Sequence, residues 1–181
     1  VESPSDEKTF RKLCEKILDS QDINNPVIRP IAPPGRPGIL NPTALSTLIR
    51  RLYAEYPDID KILICLDRDC DPPTNLRSLE RQLARLGHPN PIYFLVVNKI
   101  EGWLIADQRA VTGLIGTTVE LPQYPDSECA PDEILENLFR QVNKRYEKTR
   151  WNPRIAERLR IEEVMRVSPS FKEFVEAVIA S

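Results

Sequence analysis

Three aspartates at alternate positions, Asp67, Asp69 and Asp71, follow directly on the run Lys61-Ile62-Leu63-Ile64-Cys65-Leu66. Like charges at that spacing repel and burial sharpens the repulsion, so the cluster needs a cation, shared protons or a wide opening to water. A bound cation is the reading that gives the cluster a chemistry. The run ahead of it is apolar at every residue after Lys61 and predicts a strand buried on both faces of a mostly parallel sheet. Ligands in open α/β sheets bind beyond the carboxyl ends of the strands, where these aspartates would stand. A second apolar run, Ile92 to Val97, ends in Asn98-Lys99-Ile100-Glu101 and again sets a carboxylate just past a strand, now beside a lysine.

Count and spacing argue against other chemistries. The single histidine, His88, sits in a Gly-His-Pro turn, which leaves no His-based metal site or triad. Cys14, Cys65, Cys70 and Cys129 form no CxxC, and two of them fall among core positions, so reduced thiols are expected. Asp-x-Asp-x-Asp opens like a calcium loop, but Pro72 stands where that loop needs glycine and Ser78 where it needs its last glutamate. A strand followed by Asp-x-Asp also fits a phosphatase-type aspartyl nucleophile, yet Asp71 occupies the place of the usual threonine or valine. The six glycines fall in neither GxGxxG nor Walker spacing, so no phosphate loop supports a flavodoxin-like small-molecule site.

With 181 residues, 41% hydrophobic and 29% charged, the chain reads as one soluble globular domain. Its apolar runs are far shorter than the roughly 20 residues that span a bilayer, and no charged-then-apolar leader opens it, so a cytoplasmic protein with no membrane partner is expected. The net charge of −2 does not itself favour nucleic acid. Its distribution says more. From Ile23 to Ala54 four arginines (Arg29, Arg36, Arg50, Arg51) meet no acid, and from Phe139 to Arg160 eight basic residues face only Glu147 and Glu157. Positive lobes around a negative centre suit a phosphate-binding enzyme; solvated helix faces are the plainer alternative.

The elements that must position these groups follow in order. Val1-Glu2-Ser3-Pro4-Ser5-Asp6-Glu7 reads as the end of a strand turning into a helix capped by Ser3, with most of that strand expected upstream of Val1. Phe10, Leu13, Cys14, Ile17 and Leu18 continue at helical spacing. Val27 to Ile31 predicts a short strand, and the Pro- and Gly-rich stretch from Pro33 to Gly38 a loop carrying Arg36. Helices are expected from Pro42 to Pro57, Asn75 to Leu86, Gly102 to Asp107 and Pro131 to Lys148, with a last one opening at Ser170. A minor strand fits Thr117 to Leu121. The expected architecture is α/β, a mostly parallel sheet of about four strands flanked by helices, with an α-rich C-terminal third. Residues 1–112 form the α/β core and 113–181 a helical extension packed on it, a single domain overall.

Glu2 after the first strand, Asp67 and Asp69 after a central one and Glu101 after the next resemble the signature of the TOPRIM fold, a glutamate followed later by Asp-x-Asp. The opening is close to the VEGxSDE pattern usual around that glutamate, with Ser3 in place of the glycine. Leu66-Asp67-Arg68-Asp69, Ile100-Glu101-Gly102-Trp103-Leu104-Ile105-Ala106-Asp107, Ile155-Ala156-Glu157-Arg158 and Ser168-Pro169-Ser170-Phe171 extend the match. They resemble, over nearly the whole chain, the TOPRIM-like bacterial family termed domain of unknown function 4276, related to the overcoming-lysogenization-defect nucleases.

The resemblance implies a TOPRIM-like, Rossmann-like sheet on which Glu2, Asp67 and Asp69 hold Mg²⁺ or Mn²⁺, with Glu101 close enough to join. Oxygen-only ligation suits these hard ions. Two ions about 3.5–4 Å apart would activate water and stabilise the leaving oxygen of a phosphodiester. Lys99 would offset transition-state charge. Arg68 touches a phosphate or pairs with a neighbouring acid, and Arg36 is a second phosphate contact. Trp103 and Asp107 follow the family pattern, as a packing tryptophan and a helix-end or salt-bridged aspartate. The implied function is divalent-metal-dependent phosphoryl transfer, a nuclease on DNA or RNA, with a separate ATPase protein as a partner. The alternative is a non-catalytic metal-binding or interaction module.

Overall fold

The computed structural model describes residues 4, 6–23, 26–31, 41–67, 81, 92–97 and 99–180. Along them run α1 (Glu7–Asp19), α2 (Pro42–Glu55), β1 (Ile62–Asp67), β2 (Ile92–Val97), α3 (Ile100–Ile105) and α4 (Gln108–Ile115). After a 3-10 turn at Pro125–Ser127 come α5 (Pro131–Gln141), α6 (Lys148–Arg158), α7 (Ile161–Val167) and α8 (Pro169–Ile179).

The two apolar runs pair as parallel strands, with Ile62 opposite Ile92 and Asp67 opposite Val97. Ile64, Cys65 and Leu66 are buried, as a run without polar alternation requires. Among the described residues this pair is the whole sheet, so the expected TOPRIM-like sheet of about four strands is contradicted and the chain is helix-rich. Residues 27–31 make no strand. Pro26 and Pro30 lack the N–H that a ladder needs, and Val27 is 80% exposed. This segment instead lines an apolar hollow of about 1240 Å³ between α1, α2, β1 and α8. Thr117 to Leu121 carries no strand either; the Val119 carbonyl accepts from the Gln108 side chain.

Trp103, wholly buried, centres the core, with the rings of Phe174, Phe171 and Phe10 at centroid distances of 4.8, 5.3 and 6.0 Å. A second aromatic group joins Phe139 to Trp151 and Tyr146 at 4.7 and 5.4 Å. Helix α1 buries Phe10, Leu13 and Ile17, the stripe its spacing predicts, but its N-cap is Asp6 rather than Ser3. The helix expected from Pro131 to Lys148 stops at Gln141, because the chain turns at Asn143 with φ 55, a left-handed conformation that ends a helix. Helix α8 buries Phe171, Phe174, Val175 and Val178 as expected. Its cap is Ser168, whose Oγ accepts from the Phe171 N–H at 3.2 Å, while the Ser170 hydroxyl donates to Asp126 at 3.0 Å.

Cys14 and Cys65 are free thiols, pushed up to about 12 by burial first. Cys129 is disulfide-bonded, contrary to the reduced state expected of it. Among the described residues no helix is long and apolar enough to cross a membrane.

Candidate functional site

Because β1 and β2 are parallel and in register, both release their chains at the same end of the sheet. Asp67, half-buried, is the last residue of β1 and stands opposite Val97, the last residue of β2. Two residues beyond Val97 comes Lys99, the N-cap of α3, and Glu101 lies in the first turn of that helix. A carboxylate there gains from the helix dipole.

Glu101 is nonetheless only 2% exposed, so its charge must be compensated inside the protein. Helix α6 does this from one face. Lys148 and Asn152 stand four residues apart, hence on the same side of the helix. The Lys148 ammonium lies 3.1 Å from Glu101 Oε1, and Asn152 Nδ2 donates to the same oxygen at 3.0 Å. The Tyr146 hydroxyl donates to Asn152 Oδ1, which fixes which way the amide points. Lys148 also donates to Asp132 Oδ2 at 3.2 Å, and Lys99 donates to Asp132 Oδ1 at 3.2 Å. Charges therefore alternate, Lys99 to Asp132 to Lys148 to Glu101.

The electrostatics follow from this packing. Burial raises the Tyr146 phenol well above its ordinary range, and the carboxylates of Glu101, Asp132 and Asp6 add to the shift. Burial pulls the Lys148 ammonium down, but Glu101 and Asp132 outweigh it and the net shift is upward. Burial works upward on Asp132, and the ammonium groups of Lys148 and Lys99 hold it below its ordinary value.

Asp67 ends β1 and Glu101 follows the end of the neighbouring β2, while Lys99 is bonded to Asp132. Glu2, Asp69, Arg68 and Arg36 lie outside the described residues. Among the described residues no three His, Cys, Asp or Glu side chains gather into a metal-binding group. Among the described residues both donors that compensate Glu101, Lys148 and Asn152, converge on its Oε1. Sequence reasoning missed Lys148, Asn152, Tyr146 and Asp132. The basic run from Phe139 to Arg160 contained the first of these, and an asparagine inside an apolar helical stripe was the signal for the second.

Trp103 and Asp107 serve the scaffold. Trp103 Nε1 donates to Ser170 Oγ at 2.8 Å. Asp107, wholly buried, caps α4 by accepting from the N–H groups of Arg109 and Ala110 at 3.0 and 3.3 Å. It also takes the Arg160 guanidinium at 2.7 and 3.0 Å. Burial works upward on this carboxyl, but the bonds from Arg160 hold it below its ordinary value.

A family model described as domain of unknown function, DUF4276, matches residues 1–179. The chain belongs to this family. No curated protein and no solved structure matches it. The DUF4276 match covers every residue of the site described above, from the β1 end at Asp67 to Asn152 on α6.

Proposed function

We propose that this DUF4276 chain is a divalent-cation-dependent phosphoryl-transfer protein, a nuclease acting on phosphodiesters of DNA or RNA. The observation that supports it is the parallel register of β1 and β2, by which Asp67 and Glu101 leave the same end of the sheet. Glu2, Asp67, Asp69 and Glu101 would hold Mg²⁺ or Mn²⁺, which when bound supplies an activated water and stabilises a leaving oxygen. The chain's own groups do the positioning. Lys148 and Asn152 fix the Glu101 carboxylate, and Tyr146 fixes Asn152. Lys99 supplies positive charge beside the site to offset that of a phosphate, with Arg68 and Arg36 as further phosphate contacts. Kinship with the overcoming-lysogenization-defect nucleases belongs to the same proposal; it rests on the Glu2, Asp67, Asp69 motif and not on the sheet. A separate ATPase protein is the partner that kinship adds.

A second reading has its own observation. Glu101 is buried and committed through Oε1 to Lys148 and Asn152, as a structural ion pair is, which suits a non-catalytic module. Calorimetric titration with Mg²⁺ and Mn²⁺ followed by a plasmid-nicking assay separates the two. Nicking that needs the ion and disappears in Asp67→Ala and Asp69→Ala supports hydrolysis. Ion binding without nicking under either metal favours a metal-binding module, and no ion binding at all sinks the hydrolytic reading and leaves an interaction module.

A further inference from the structure

The turn between α5 and α6 doubles back at Asn143 and encloses an open concavity of about 560 Å³. Arg140, Lys144, Arg145 and Lys148 line it, against the carboxylates of Asp132 and Glu136. Both acids are already answered. Glu136 takes Arg140 at 3.2 Å, and Asp132 takes Lys148 and Lys99. The positive charge left over is that of Lys144 and Arg145. Among the described residues the Lys144 ammonium meets only the carbonyl oxygens of Leu114 and Ile115, at 3.3 and 3.4 Å, in the last turn of α4. Arg145 reaches Glu147 at a loose 3.9 Å, and its side chain is 88% exposed.

Small-molecule pockets of this size are mostly apolar with a few polar groups, whereas this one is walled by charge. It also shares a residue with the acidic site, since the Lys148 that lines it is the one bonded to Glu101 at 3.1 Å. A polyanion lying in the hollow would therefore run up to the carboxylate end of the sheet.

We propose that this concavity is the seat of a nucleic-acid strand, with Lys144 and Arg145 meeting its phosphates and Lys148 standing between strand and acids. The inference rests on the phosphodiester reading for its purpose, but binding tests it without cleavage. The probe is a fluorescently labelled single-stranded 20-mer, followed by anisotropy with the full chain in EDTA across 50–200 mM salt. On a single strand each phosphate contact adds about 0.7 to the salt slope, which at 0.1 M is about fivefold in affinity. The Lys144→Ala/Arg145→Ala pair should therefore bind about 25-fold more weakly with a slope reduced by about 1.4. Arg145→Ala alone, at an exposed position that leaves the fold intact, should lose about fivefold. Arg166→Ala/Lys172→Ala, exposed cations on α7 and α8, should change affinity by less than about twofold.

Equal losses in the two double variants, no loss in either, or no binding by the unaltered chain would overturn the proposal. So would displacement of the strand by inorganic phosphate at equal total phosphate, which would mark a small-anion site. Binding that depends on Lys144 and Arg145 without nicking in Mg²⁺ or Mn²⁺ upholds the proposal and removes the hydrolytic reading. Nicking with affinity indifferent to these residues does the reverse.

Discussion

Removing the Lys148 ammonium should leave Glu101 buried with one neutral donor, and the size of the effect follows from the geometry. At 3.1 Å and an effective dielectric of about 20 the pair attracts by about 5 kcal/mol. Most of this is offset by desolvation of Glu101, and Lys148 is 40% exposed and divides its charge with Asp132. What remains should resemble one charge-assisted hydrogen bond, about 2 kcal/mol. A double-mutant cycle of Glu101→Gln and Lys148→Ala isolates it, because the doubly altered protein leaves neither charge unpaired. Urea unfolding of the four proteins, with equal slopes as the check on two-state behaviour, should give a coupling of about 2 kcal/mol, with Lys148→Ala less stable than the double variant. Coupling below about 0.5 kcal/mol would mean that the ammonium does not hold the carboxylate in solution, and the positioning role of Lys148 would go with it.

Asp107→Asn keeps the cap of α4 but takes the charge from Arg160, and should cost about 2 kcal/mol, seen in a thermal scan as a midpoint about 4–8 °C lower. The pH dependence has a definite sign. Asp107 and Asp132 are held below their ordinary values in the folded chain, so what they contribute is complete above the unfolded carboxyl range near pH 4 and is lost as pH falls through the folded values. Urea midpoints at pH 7, 5, 4 and 3 should therefore fall steeply only at the acid end, and less steeply in Asp107→Asn. Lys148, held above its ordinary value, contributes below about pH 10 and loses that contribution as pH rises further. Trp103→Ala should cost about 3–5 kcal/mol by emptying the centre of the aromatic cluster, whereas Trp103→Phe should cost less, losing chiefly the bond to Ser170; a denaturant series ranks the two.

What the sequence made legible depended on whether the deciding interaction was local. Ile62 to Leu66 and Ile92 to Val97 are apolar throughout and flanked by polar residues, and both became strands. Residues 27–31 carry similar β-branched content, but Pro30 within them and Pro26 just before remove ladder donors, and no second row of pairing formed among the described residues. The stop at Gln141 was hidden because Ile134, Leu135, Leu138, Phe139 and Val142 keep helical spacing up to the turn, and neither Gly nor Pro marks it; only Asn143, a residue that tolerates positive φ, hinted at the break. Ser170 lost the cap of α8 to Ser168 because the helix already begins at Pro169, which puts Ser170 inside the first turn. There its N–H and hydroxyl go to Asp126, more than forty positions earlier. The positions of Asp67 and Glu101, at and just past the ends of neighbouring strands, were readable from the two apolar runs. Their neighbours were not, since Asn152 reaches Glu101 across 51 positions of sequence and nothing in a basic run says which lysine turns inward.

Lys148 belongs both to the acidic site and to the cationic hollow, and its place beside Glu101 gives the cation reading a consequence opposite to that of simple packing. An ammonium at 3.1 Å from Glu101 is a resident positive charge, so any divalent ion drawn to the same carboxylate competes with it. The exchange is physically cheap for the protein, because Asp132 stands at 3.2 Å from the same nitrogen and can keep Lys148 paired while Glu101 stays compensated by the incoming charge. Lys148→Ala should therefore tighten Mn²⁺ binding even though it loosens the fold, by about tenfold if the competition is worth about 1.4 kcal/mol of the coupling worked out above. Calorimetric titration at a temperature where both proteins are folded reads this without any substrate. Unchanged or weaker Mn²⁺ affinity in Lys148→Ala would place the ion away from Glu101, and leave that carboxylate as a structural partner of α6.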